Sequence, residues 1–248
     1  MTIDSSTIRK HLKKTYQLVD KHPDALLVSG WIRPKLKREK LDATIAKCGL
    51  NIPEETRAWM CALDGFCLTW IGADPPLLPE HHTVEAQLIA EQRCRLGGLI
   101  GRVNISAWRP LLTDKWFDRK NFAPHHRLLD DFYSYSADDY FHVIHLECDP
   151  SREDVLVRFG DDHGADFDSS IPVTLPVYLK LMAITLGTGR DRVLCRGTGA
   201  SYLVLDDPRR LPDFTPEEVV AMVIDKDEGV RARFDEAIAS IHASHPPG

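Results

Sequence analysis

The chain has 248 residues, a formal net charge of −6, 43% hydrophobic residues and 27% charged ones. That length and balance suffice to bury a sizeable core as one globular unit. No stretch reaches the roughly 18 consecutive apolar residues that cross a bilayer, which excludes an integral helical membrane protein. The six cysteines form no CxxC pair, which argues against a zinc site or disulfide framework and for buried, reduced thiols.

In chain order, Asp4-Ser5-Ser6 offers an N-cap to a helix with Ile8, Leu12, Tyr16 and Val19 on one face. Arg9, Lys10, Lys13 and Lys14 occupy the other face, and His22-Pro23 closes the helix. Residues 26–32 suit a short strand or turn, broken by Arg33-Pro34. A second helix over 37–48 turns Leu41 and Ile45 inward and stops at Gly49.

The stretch from Leu50 to Gly72 organises the rest. Pro53 suits the first helical position, and Glu54 and Glu55 complement the helix dipole. Ala58, Trp59, Ala62 and Leu63 make one apolar stripe. Asp64-Gly65 ends the helix, with Gly65 expected in the left-handed C′ conformation. Residues 66–71 are aromatic and β-branched enough to be a strand. A helix closed by Asp-Gly and feeding an apolar strand is a nucleus for an α+β fold.

The proline-rich 73–79 stretch is a loop, and 83–96 reads as a third helix capped by Thr83. Gly97-Gly98-Leu99-Ile100-Gly101 reads as a small-residue bend; it lacks the Lys-Ser/Thr of a phosphate loop. Residues 140–147 and 155–159 form an antiparallel hairpin. The 176–186 segment is a helix with Val177, Leu181 and Ile184 on one stripe and Gly187 as terminator. Short strands are possible at 192–195 and 202–205. Thr215-Pro216-Glu217-Glu218 is a capping box opening a helix, and a last amphipathic segment carries Val230, Phe234, Ile238 and Ile241.

Chemistry is sparse. His142 and His145 lie three apart, and on a strand that odd offset sends their rings to opposite faces. His125-His126 beside Asp130-Asp131, and Asp161-Asp162-His163 with Asp166 and Asp168, are the other metal candidates. The second group lacks the glycine and terminal Glu of an EF-hand loop. There is no Gly-x-Ser-x-Gly and no protease-type cysteine signature. No catalytic residue, metal ligand or cofactor is assigned.

Charge is uneven. Residues 1–47 hold eleven Lys/Arg against five Asp/Glu, leaving the remainder with twelve excess negative charges. Such an acidic body shows no face for nucleic acid and attracts a basic protein surface. Residues 1–6 contain no basic run leading into an apolar one, so a secretory signal is not expected and a cytoplasmic location is.

The run Leu50-x-Ile-Pro-Glu-Glu, the apolar helix ending Leu63-Asp-Gly65 and the strand Phe66-x-Leu-x-Trp70 together resemble the SUKH superfamily of Smi/Knr type. Lys120-Asn-Phe-Ala-Pro124, the paired strands and the 177–186 helix follow in a similar order, so the likeness spans residues 26–189. In this chain Ala123-Pro124 leads into His125-His126 instead of the family's polar turn, and the 115–140 insert is longer than typical. The resemblance implies an α+β domain with a mostly antiparallel sheet packed by helices. It also implies a role as an immunity protein against a toxin, or as a regulatory scaffold.

The expected organisation is an N-terminal helix (1–24), a SUKH-like domain (25–190) and a C-terminal extension (191–248) packed on it. The leading expectation is a non-enzymatic protein-binding domain that blocks a basic toxin, with no nucleic-acid or membrane partner. Its candidate contacts are Asp64, Trp70, Asp130, Asp131, Tyr133, Asp138, Asp139 and Tyr140. Trp70 is as consistent with a core position, whereas 130–139 alternates acids with aromatics and reads as an acidic loop. The competing expectation is a metal-dependent hydrolase using His125, His126, Asp161, Asp162 and His163. A third is a scaffold assembled through the terminal helices.

Overall fold

The computed structural model describes residues 2–72, 100–113, 126–133, 141–148, 155–161, 173–188 and 207–243. Its first helix, α1 (Ile8–Asp20), buries Ile8, Leu12, Tyr16 and Val19 as the four-residue spacing requires. The Asp4 carboxylate accepts from the Ser6 and Thr7 N–H groups, satisfying donors ahead of the first turn. Strand β1 (Ala25–Ile32) follows, then α2 (Arg38–Cys48), which ends at Gly49 with φ +65°.

Helix α3 (Glu54–Ala62) and strand β2 (Phe66–Gly72) form the expected unit, with two differences at the junctions. Pro53 is the N-cap and not the first helical residue; its carbonyl accepts the Arg57 N–H. The helix ends at Leu63 in extended conformation, before Gly65 is reached. Gly65 has φ +87°, and a Cβ there would collide with the Ile105 carbonyl and Ser106 backbone. Glycine is needed for this close passage as well as for its dihedral.

Next along the chain come β3 (Ile100–Ile105), α4 (Trp108–Thr113), β4 (His126–Tyr133), β5 (Phe141–Glu147), β6 (Leu156–Asp161) and β7 (Val173–Thr174). Gly101 lies in β3, so the expected glycine bend is corrected to a strand at that position. His126, Asp130 and Asp131 belong to β4 and not to loops. Helices α5 (Leu175–Thr185), α6 (Pro216–Val223) and α7 (Glu228–Ala243) complete the described elements. The expected helix at 83–96 and the strands at 192–195 and 202–205 lie outside the described residues.

The fold is α+β, and all described strand pairs are antiparallel. They form two sheets, β1-β2-β3 and β4-β5-β6-β7, where a single sheet was expected. One core joins α1, both sheets, α5 and the C-terminal helices, running from Ile8 through Trp70 and Ile144 to Phe234. Helix α5 is central: all eleven residues are buried, including Lys180, so the expected single stripe is replaced by burial on every side. Thr215 and Glu218 make both bonds of the capping box that starts α6.

Candidate functional site

Register assigns each side chain of the first sheet to a face. Phe66, Leu68 and Trp70 pair with Ile105, Val103 and Gly101, and these residues face the helices. The intervening positions share the opposite face in cross-strand rows: Trp31, Cys67 and Asn104 in one, Ser29, Thr69 and Arg102 in the next, with Cys67 buried and Trp31 and Asn104 exposed. Trp31 is 37% exposed and, with Leu128, is one of two exposed large hydrophobic side chains among the described residues. The Arg33 guanidinium lies 5.2 Å from the Trp31 ring centroid, a cation–π stack. Arg33 is fixed at its backbone: its N–H donates to the Gly65 carbonyl at 3.2 Å, and its own carbonyl accepts from Arg9 Nη1. The turn after α3 thus positions the exposed end of β1.

Asp64 lies beside this corner and is half-buried. It accepts the Trp108 N–H at 3.0 Å, and burial pushes its carboxyl up despite that bond and the nearby Arg33 and Arg109. Two other expected contacts are corrected. Trp70 is fully buried, and its indole N–H donates to the Leu186 carbonyl at 3.0 Å. Asp130 is 2% exposed; its Oδ1 accepts the Asn104 N–H at 2.8 Å and its Oδ2 the Tyr178 hydroxyl at 2.8 Å. Neither side chain reaches a partner from there. Asp131 and Tyr133 lie in β4, aligned with Val143 and Phe141 of β5. Asp138, Asp139 and Tyr140 lie outside the described residues.

The metal-hydrolase constellation is pulled apart by the same kind of reasoning. His126 is aligned with Glu147, at one end of β5, and Asp161 with His142, near the other. Five residues of strand separate those positions, about 17 Å at the usual rise. His125, Asp162, His163, Asp166 and Asp168 lie outside the described residues. Among the described residues no cluster of three or more His, Cys, Asp or Glu could hold a metal ion.

The buried ionisable groups are tied into the fold. Lys180 Nζ donates to the Leu211 carbonyl at 2.9 Å and to Asp213 Oδ1 at 2.8 Å. Asp213 also accepts the Ile3 N–H at 2.9 Å. Burial opposes ionisation of Asp213, but Ile3 and the Lys180 ammonium hold its carboxyl below the usual range. His11 is 1% exposed, and burial pushes its imidazole down to about 4. Cys48, Cys61, Cys67 and Cys148 are free thiols, and burial raises Cys148 to about 12. Cys94 and Cys195 lie outside the described residues.

No helix among the described residues is long and apolar enough to cross a membrane. No family model, curated protein or solved structure matches the chain. Sequence reading missed the Trp31–Arg33 corner. The available signal was the placement of Trp31 two residues before an arginine, ahead of a proline that ends the strand.

Proposed function

We propose that this chain is a non-enzymatic, cytoplasmic protein-binding domain, and specifically an immunity protein that neutralises a toxin. The observation that carries the binding role is the exposed end of β1. There an exposed tryptophan, stacked under an arginine, lies in a cross-strand row with Cys67 and Asn104. Trp and Arg are the residue types that dominate binding energy at protein interfaces. The immunity role rests on the SUKH-like run from Leu50 to Trp70. Its helix, Asp-Gly turn and strand fold as α3, Gly65 and β2, with β2 at the centre of an antiparallel sheet.

The partner would be a basic toxin domain, met by the acidic and aromatic residues that begin at the end of β4. With Asp130 withdrawn into the core, Asp131, Tyr133, Asp138, Asp139 and Tyr140 are the contacts proposed for it. Complementary charge would accelerate encounter and aromatic anchors would slow release. Co-expression with the product of an adjacent toxin-encoding reading frame, followed by co-purification at low and high salt, tests this. Binding that weakens with salt and relief of toxicity are the expected results. A complex equally strong at both salt concentrations removes the electrostatic component, and unrelieved toxicity removes the immunity role.

A further inference from the structure

A second surface, of opposite charge, is built at the corner where β1 ends. Arg9 and Lys13 lie one turn apart along one side of α1, and Arg33, Lys35 and Lys37 are exposed or partly exposed in the connection from β1 to α2. Among the described residues none of these five has a carboxylate within 4.0 Å. Their immediate neighbours do: Lys14 is paired with Glu217, and Arg38 with Asp42 and Glu54. Asp64, whose carboxyl Arg33 influences, is already half-buried against the Trp108 N–H. Among the described residues the corner therefore carries uncompensated positive charge, on a protein whose net charge is −6.

Three further features define what this charge would take. The Arg33 guanidinium is held over Trp31, presenting fork-like donors fit for a carboxylate beside an apolar ring. Strand β1 is the terminal strand of its sheet, and no described strand pairs along its outer edge. A register shift between Leu27 and Ser29 interrupts the strand, leaving 29–32 as the regular edge next to the basic residues. An extended segment could add to that edge through main-chain bonds while its side chains meet Trp31 and Arg33.

We infer that this corner is a docking surface for an acidic, extended segment of a partner protein. Single-stranded nucleic acid is the weaker fit. Platforms for it stack successive bases on several aromatics, whereas among the described residues one exposed tryptophan lies here, with one face covered by Arg33. The inference rests on the protein-binding reading, but uses different residues from the acidic contacts proposed for a toxin.

The test uses the whole chain and a fluorescent peptide of alternating Glu and Thr, with an oligothymidine and an alternating Lys-Thr peptide as comparators, followed by anisotropy at low and high salt. Expected are binding of the acidic peptide alone or ahead of both comparators, weakening with salt, and a loss of roughly ten-fold or more in Trp31→Ala and in Arg33→Glu. Arg209→Glu, on the exposed 208–210 turn and outside these five basic residues, should bind as the parent does. Bound peptide should also protect Lys35 and Lys37 of the unaltered chain from acetylation, a readout that needs no variant to fold. Absence of binding, tighter binding of oligothymidine, unchanged affinity in the folded variants, or unprotected lysines would each overturn the inference. If a toxin still co-purifies with Trp31→Ala and Arg33→Glu chains that no longer bind the peptide, the two surfaces are separate. If co-purification fails in the unaltered chain while the peptide binds, the toxin reading alone is lost.

Discussion

Tyr178 donates its hydroxyl to Asp130 at 2.8 Å across the middle of the protein, and the same carboxylate accepts the Asn104 N–H at 2.8 Å. One side chain thus ties β4 to α5 and to the outer edge of β3, where a ladder carbonyl would otherwise be needed. It holds together two sheets that share no strand pairing. Asp130→Ala removes the acceptor both donors use, and is expected to destabilise by about 3 kcal/mol. Tyr178→Phe, which leaves the carboxylate bound to Asn104, should cost about 1 kcal/mol. Urea unfolding of both variants measures this, and equal costs would show that Asp130 does not bridge the sheets.

Lys180 is the only charged residue of α5, and its ammonium is surrounded by the Leu211 carbonyl and Asp213. Asp213 in turn holds the Ile3 N–H, so the chain's first residues, the central helix and the 207–215 connection meet at one point. Lys180→Ala strips the cation from the site and should cost about 3–5 kcal/mol; Lys180→Met, which keeps the volume and leaves Asp213 on Ile3, should cost less. Thermal melts of the two variants decide it. Limited proteolysis near residue 3 gives an independent signal, because Asp213 loses the partner that fixes it.

These two carboxylate sites also mark where sequence reading stopped. Signals that act within a turn were legible: Thr215 with Glu218, Gly49 after α2, the four-residue spacing of Ile8, Leu12, Tyr16 and Val19. Each is governed by neighbours a few residues away. Asp130 reads as an exposed contact because charge is normally solvated, and nothing in the sequence singles out Lys180. Their burial depends on partners 48 and 33 positions away, which no local pattern announces. The same holds for Trp70, whose acceptor lies 116 residues further along. Of the candidate site, only Asp64 was foreseen near the exposed corner; Trp31 and Arg33 acquire meaning once β1 is known to end the sheet.

Gly101 shows how a residue can be misread for the same reason. It pairs with Trp70 in the β2–β3 ladder, and a Cβ there would collide with the indole Nε1 and with the Leu186 carbonyl that this indole bonds. The glycine makes room for a contact between the sheet and the end of α5. Gly101→Ala should therefore cost more than about 3 kcal/mol, because the obstacles are backbone and a fully buried ring that cannot step aside. Soluble yield and chemical denaturation check it; a cost below about 1 kcal/mol would mean that the Trp70–Leu186 contact is dispensable.

His11 supplies the pH dependence. Its ring is buried against α5, facing the Ala183 carbonyl, and burial holds it neutral down to about 4; Glu217 and Asp213 act against that shift. The unfolded chain takes up this proton near pH 6.5. Between those limits the unfolded state binds more protons, so stability is full above about pH 6.5, falls as pH drops toward 4, and levels off below it. The limiting slope from this one group is about 1.4 kcal/mol per pH unit. Carboxylates held below their usual range, such as Glu218 and Asp213, act in the more acidic window: their contribution is present above the unfolded value and lost on further acidification. His11→Leu removes a buried titrating ring at similar volume, so the variant's stability should fall less steeply than the parent's between pH 6.5 and 4.5. Urea unfolding across that range compares the two, and parallel curves would show that His11 takes up its proton over the same range in the folded and unfolded chain.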